Sequence, residues 1–222
     1  MKTCTKCILS ENYYNISFDE QGVCNYCRDY KPFQPKNDDQ LIQLFEDVKR
    51  KQHKYDALVP LSGGKDSTYV LYLAKKKYDL NVLTFTYDNG FMSDIARENI
   101  QNAIQSLDVD HIFIKPSWNL LKKVYRGVLI HSGELCTPCG IGITTSYLKL
   151  SEEYNIPIIL RGVSKDEDIQ YPTEDIYDIK RFKAIMDQTE GMDGSDVERF
   201  LTISDLHPYK KRLLTLSGRY GK

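Results

Sequence analysis

The chain has 222 residues, with 30 Lys and Arg against 31 Asp and Glu and a formal net charge of -1. That balance weighs against bulk nucleic-acid binding, which needs a basic excess or a strong basic patch, and no apolar run reaches the roughly 20 residues of a membrane span. With 41% hydrophobic and 27% charged residues, the composition is that of one soluble globular domain with a small appendage. The start, Met1-Lys2-Thr3-Cys4, has no apolar signal core, so the expected compartment is the cytoplasm.

The predicted elements alternate. Leu41, Ile42, Leu44, Phe45 and Val48 recur at helical spacing from Asp38 to about His53, with Asp38 and Asp39 suiting the positive end of the helix dipole. Ala57 to Leu61 reads as a buried parallel strand. It runs into Ser62-Gly63-Gly64-Lys65-Asp66-Ser67, and a helix follows, ending in Lys75-Lys76-Lys77. Asn81 to Tyr87 is a second strand, and Asp88-Asn89-Gly90 its turn. Ser93 caps a helix to about Leu107, and His111 to Ile114 is a third strand. Trp118 to Ile130 is helical, and another helix starts near Cys139 and runs to Tyr154. Pro157 to Leu160 is a fourth strand, closing on Arg161-Gly162. Shorter helices are read at 176–186 and 197–203. Strands alternating with helices predict an α/β fold, an open, mostly parallel sheet with helices on both faces.

The six cysteines fall into three Cys-x-x-Cys pairs. A reducing compartment makes metal or sulfur chemistry a better expectation than a disulfide framework. Cys4/Cys7 and Cys24/Cys27 are sixteen residues apart, the spacing of a four-thiolate zinc site. With no open coordination position, such a site would be structural. Iron–sulfur ligation uses the same donors, and the rival reading is two pairs of unliganded thiols. Cys136-Thr137-Pro138-Cys139 differs because it sits inside the α/β region, in the loop before a helix. Pro138 and the helix N-terminus suit a lowered thiol pKa at Cys139. The rival there is a structural pair, with His131 as a partner in a second metal site. His53, His111 and His207 show no metal spacing and read as surface or packing residues.

Residues 62–67 are the most informative stretch. Two glycines allow a tight turn that brings bare N–H groups to an anion. The helix behind adds N–H groups and the positive end of its dipole. Ser62 and Ser67 offer hydroxyls and Lys65 a charge, while Asp66 fits magnesium or a cap better than an anion cradle. The spacing differs from G-x-x-x-x-G-K-[ST]. The rival is a plain Gly-Gly turn with surface polar residues.

From about Tyr55 to Asp168 the chain resembles the PP-loop, or N-type, ATP pyrophosphatases. The resemblance implies an adenine-nucleotide alpha-hydrolase fold of the HUP-like kind. It also implies cleavage of ATP to AMP and pyrophosphate by adenylation of a substrate oxygen. Ser62, Gly63, Gly64, Lys65, Asp66 and Ser67 would hold the pyrophosphate portion of ATP. Tyr87 and Asp88 would flank adenine and ribose, with a plain strand-end turn as their rival. Gly162 would approach the nucleotide, and Asp166 and Asp168 would bind Mg2+, against the rival of a solvated helix start.

The N-terminal module resembles the start of the N-acetyl sugar amidotransferases, which are generally longer. The internal Cys136/Cys139 pair resembles that of sulfur-transferring PP-loop enzymes such as the tRNA thiolation group. No cysteine follows Cys139, which leaves a two-ligand iron–sulfur cluster, a persulfide pair and a redox disulfide open.

The expected domains are a Cys4 zinc-ribbon-like module over 1–35, a PP-loop ATP pyrophosphatase domain over 36–170 and a helical C-terminal part over 171–222. Candidate catalytic residues are Cys136, Cys139, Lys65 and Asp66, with ATP, Mg2+ and Zn2+ as cofactors. Three functions are carried forward: adenylation followed by thiolation, ammonia-dependent amide transfer to an N-acetyl sugar, and non-catalytic ATP binding by a regulatory protein. Open partners are a small-molecule or sugar acceptor, a sulfur-donor or glutaminase subunit, RNA, and a second copy of the chain in a homodimer. No membrane is among them.

Overall fold

The computed structural model describes residues 1–31, 38–133, 135–162 and 179–201. They divide into two compact units, Met1–Gln40 and Leu41–Lys222. The domain boundaries expected at 35/36 and 170/171 both fall outside the described residues.

The N-terminal unit has little regular structure. Its elements are two isolated bridges, Thr3 with Ser10 and Phe18 with Cys24, and one short helix, α1 (Asn25–Asp29). Asp19 organises the turn between them. Its carboxylate accepts from the Gln21 and Val23 amides at 3.0 and 2.8 Å.

The larger unit is built on a four-stranded, all-parallel sheet in the order β3-β2-β1-β4, with β1 (Ala57–Pro60), β2 (Val82–Tyr87), β3 (Asp110–Ile114) and β4 (Ile158–Ile159). Between them come α2 (Asp39–Lys49), ahead of β1, then α3 (Lys65–Tyr72), which continues as one π-helical turn, Leu73–Lys77. α4 (Asp94–Leu107), α5 (Trp118–Ser132) and α6 (Cys136–Glu153) follow, and α7 (Ile179–Asp187) and α8 (Gly194–Phe200) come last.

The period-two alternation of the strands explains why both faces are covered. Ala57 and Val59 of β1, with Leu61 beyond its end, pack with Phe45 and Val48 of α2, Leu71 of α3 and Ile100 of α4. Leu58 of β1, with Leu83 and Phe85 of β2, points the other way, onto Tyr147, Leu148 and Leu150 of α6. A third cluster joins α5 to α7 and α8 through Val124, Val128, Phe182, Met186 and Phe200. Each fully buried aliphatic or phenyl side chain contributes about 1.5–3 kcal/mol. Pro60 has no N–H to donate, and β4 pairs only with Ala57 and Leu58, so Pro60 lies beyond that pairing.

α6 starts at Cys136, earlier than the expected start near Cys139. Pro138 therefore lies in the first turn of α6. Within a helix's first turn a proline removes no intrahelical hydrogen bond and is tolerated. No described helix is long and apolar enough to cross a membrane.

Candidate functional site

The first site is the loop between β1 and α3, at the carboxyl end of the sheet, where ligands of open α/β sheets gather. Gly63 has φ +77°, and a Cβ there would collide with the backbone of Ala96 on α4. Only glycine fits. The loop is braced by its own hydroxyls. Ser67 Oγ lies 3.0 Å from Ser62 Oγ and 3.2 Å from the Ser62 amide that donates to it, and Ser62 Oγ accepts from Gly64 N at 3.3 Å. Asn99 of α4 donates to the Gly63 carbonyl at 3.0 Å. α3 begins at Lys65 with no side-chain cap at Gly64, so its positive end faces the loop.

Lys65 and Asp66 form an exposed ion pair, with Nζ 2.7 and 2.8 Å from the two carboxylate oxygens. Exposed pairs hold by about 0–1 kcal/mol, so a phosphate could draw Lys65 away at small cost. Gly162, beyond β4, is brought to the same place. A Cβ there would sit 2.8 Å from the Asp66 carbonyl oxygen and the Ser67 amide. Asp166 and Asp168 lie outside the described residues.

A cavity of about 400 Å³ opens beside the loop, lined by Leu61, Ser62, Tyr87, Asn89, Phe91, Cys139 and their neighbours. Of the two β2-end candidates, Tyr87 lines this cavity. Asp88 is 1% exposed and turned into the protein. It accepts from Gly90 N at 3.0 Å and Arg97 at 3.1 Å, with Lys115 at 4.0 Å. Burial would raise its pKa, but the Gly90 amide and the two cations hold it below the usual carboxylate range. In this geometry Asp88 clamps the strand end.

Cys139 Sγ accepts a hydrogen bond from Asn89 Nδ2 at 3.5 Å. Its thiol pKa is raised rather than lowered, which corrects the expectation from its helix-terminal position. Burial is the largest cause, the Asn89 contact lowers the value, and nearby Cys136 raises it. Cys136 is exposed. Among the described residues no third His, Cys, Asp or Glu joins this pair in a metal-sized group, and His131 lies outside any such group. His111 is half-buried, with Nδ1 2.8 Å from Thr84 Oγ1, and burial lowers its pKa to about 4.

The second site is in the N-terminal unit. The sulfurs of Cys4, Cys7, Cys24 and Cys27 lie within 4.8 Å of one another. Cys4 to Cys27 is 3.9 Å and Cys7 to Cys24 is 3.7 Å. Tetrahedral thiolate ligation at about 2.3 Å requires sulfur–sulfur edges of about 3.8 Å, so the cage fits a metal ion. The two pairs turn alike. Cys7 N donates to Cys4 Sγ and Cys27 N to Cys24 Sγ, each at 3.4 Å. Burial works against a charged Cys4, yet amides of Cys24, Lys6 and Cys7 outweigh it and lower the thiol to about 6. Crowding by Cys7, then burial, pushes Cys27 up to about 12. One preformed thiolate with further thiols crowded against it would gain from a cation in their midst.

Comparison with known proteins adds a family match. The family model described as queuosine biosynthesis protein QueC matches residues 56–136, from the residue before β1 to the first residue of α6. An uncharacterized protein of Methanocaldococcus jannaschii is 24% identical over 163 residues, which is 72% of this chain and 58% of that protein. The chain thus spans under two thirds of that curated relative's length.

Solved structures resemble it more distantly. The U34-tRNA thiolase NcsA of Methanococcus maripaludis, with its 4Fe–4S cluster, is 15% identical with a TM-score of 0.42, covering 93% of this chain and 74% of that one. The NH3-dependent NAD synthetase of Campylobacter jejuni is 18% identical with a TM-score of 0.42, covering 60% and 59%. The matched family model covers the residue 62–67 loop in its strand–turn–helix setting, so over this region the chain is similar to the PP-loop ATP pyrophosphatases.

Proposed function

We propose that this protein cleaves ATP to AMP and pyrophosphate by adenylating a carbonyl or amide oxygen of its acceptor, and then replaces that oxygen with sulfur through Cys136 and Cys139. One observation carries the reading: Ser62 of the phosphate loop and Cys139 line the same cavity of about 400 Å³. A group activated at the loop is thereby within the space that the sulfur reaches.

In the first step the acceptor oxygen attacks the α-phosphorus, and pyrophosphate leaves with the electron pair of the broken P–O bond. The loop amides, the two serine hydroxyls, Lys65 and the α3 dipole stabilise the departing charge, so positioning and electrostatics supply most of the rate. Magnesium, when bound, would neutralise phosphate charge, and Asp166 and Asp168 are its ligands on the sequence reading. In the second step a persulfide sulfur on one cysteine attacks the activated carbon, and AMP leaves with the C–O electron pair. The thiolate of the other cysteine then attacks the resulting mixed disulfide. This releases the thiolated product and leaves a Cys136–Cys139 disulfide. A sulfane-sulfur donor reloads the site, and a dithiol reductant supplies two electrons per turnover. The four N-terminal cysteines hold a structural Zn2+ in this reading, because four thiolates leave no open coordination position.

A second reading draws on that same four-cysteine module, which resembles the start of the N-acetyl sugar amidotransferases. There ammonia from a glutaminase partner displaces AMP. One assay separates the two. Wild type and the Cys136→Ser/Cys139→Ser variant are given ATP, Mg2+, candidate acceptors, and either a persulfide donor with dithiol or ammonium. Thiolation predicts pyrophosphate release in both proteins and a thiolated product only with wild type. Thiolated product from the double variant refutes the sulfur role. Ammonium-dependent product from both proteins transfers the conclusion to amide transfer. If no acceptor prompts pyrophosphate release, the non-catalytic ATP-binding reading stands instead.

A further inference from the structure

We infer that Asn89 is the positioning residue for sulfur transfer: its side-chain amide holds Cys139 as the inner, substrate-facing sulfur, leaving Cys136 as the outer one. The inference rests on the thiolation reading for its chemistry and on independent geometry for its assignment. Asn89 follows β2, and its Oδ1 accepts from Phe91 N at 2.9 Å. A backbone N–H can only donate, so that contact fixes which end of the carboxamide is oxygen. The NH2 end must therefore face the other way, where Cys139 Sγ lies 3.5 Å off. A donor locked in this direction favours an anionic sulfur.

The surroundings strengthen the division of roles. The titratable groups facing Cys139 are Tyr87 of β2, Tyr125 of α5 and Cys136 of α6. Burial, above all, raises Tyr87 and pushes Tyr125 up to about 12, so both phenols stay neutral near pH 7 and leave the sulfur's charge to the amide. Asn89 and Cys139 both line the cavity beside Ser62, while Cys136 is exposed. An external sulfur donor or reductant meets Cys136 first. The activated acceptor meets Cys139 first.

The test reads Cys139 in a metal-loaded Cys136→Ser background, by peptide mass mapping of its own alkylation with iodoacetamide across pH. Asn89→Asp keeps an oxygen for Phe91 N and replaces the donor by an anion. It should slow alkylation near neutral pH by about tenfold and move the inflection to higher pH. Asn89→Ala removes the donor without adding charge and should slow it a few-fold. Its profile decides the matter if Asn89→Asp does not fold. Superimposable profiles for wild type and the folded variants overturn the assignment. Because alkylation needs no turnover, the two readings fail separately. A shifted profile with no sulfur in any product sustains Asn89 and sinks thiolation. An unshifted profile with full thiolation does the reverse.

Discussion

The same Cys-x-x-Cys spacing stands in two different settings in this chain. In the N-terminal unit two such pairs converge to within 4.8 Å, and backbone amides point at their sulfurs. At the start of α6 a single pair stands with one sulfur exposed and the other lining a cavity, held by a side-chain amide. Spacing brings thiols together in both places. The two settings differ in how many sulfurs meet and in whether a cavity reaches them.

Serine substitutions sharpen that contrast, and the largest effect belongs to the cage. A unit of 40 residues buries too little apolar surface to hold itself, and among its described residues Cys4 and Cys24 are the two that are buried. Zinc binding to such modules is worth about 10–16 kcal/mol of folding energy. Cys24→Ser, or removal of metal by a strong chelator, should therefore abolish hydrogen-exchange protection of the Cys4, Cys24 and Arg28 amides. Elemental analysis of the intact protein should find one zinc per chain. Protection that survives complete metal removal would break the comparison at its root.

The phosphate loop gives the next effect. Ala at position 63 must hold φ near +77° and force its Cβ into the Ala96 backbone. Gly63→Ala should cost about 3 kcal/mol in urea unfolding and abolish ATP binding by calorimetry.

The legibility of the chain follows the range of each interaction. The strand–loop–helix at 57–72 was readable because periodicity, the two glycines and the helix start are all local. The Asn89–Cys139 contact spans fifty residues, and Asp88-Asn89-Gly90 alone signals only a turn. Cys139 was misjudged for a related reason. Its helix position is visible in the sequence, whereas the burial that outweighs it arises only when the chain folds. Gly162 could be marked as a glycine after a strand, but the crowding by Asp66 and Ser67 that requires it depends on how β4 lies beside β1.

Asp88 tests the rigid side of the cavity. Its folded pKa is depressed, so its stabilisation is fully present above the unfolded value of about 3.9 and is lost as pH falls through the lower folded value. Asp88→Asn should cost about 1–2 kcal/mol at neutral pH. The gap from wild type should close under acid, as followed by urea midpoints. A gap independent of pH would mean that the Asp88 charge does not hold the turn.

The smallest effect on stability belongs to the outer sulfur of the proposed pair. Cys136 is exposed, so Cys136→Ser exchanges one solvated polar atom for another and should change stability by no more than about 0.5 kcal/mol. Its reactivity should be the opposite of silent. In wild type, limiting iodoacetamide should label Cys136 well before Cys139, because alkylation follows access as well as thiolate fraction and burial penalises Cys139 on both. Peptide mass mapping at early times reads the order directly. Faster labelling of Cys139 would place the outward-facing sulfur at position 139 and reverse the roles of the pair. The four N-terminal thiols, once metal-loaded, should stay unlabelled at those times, since coordination occupies the lone pairs that alkylation needs.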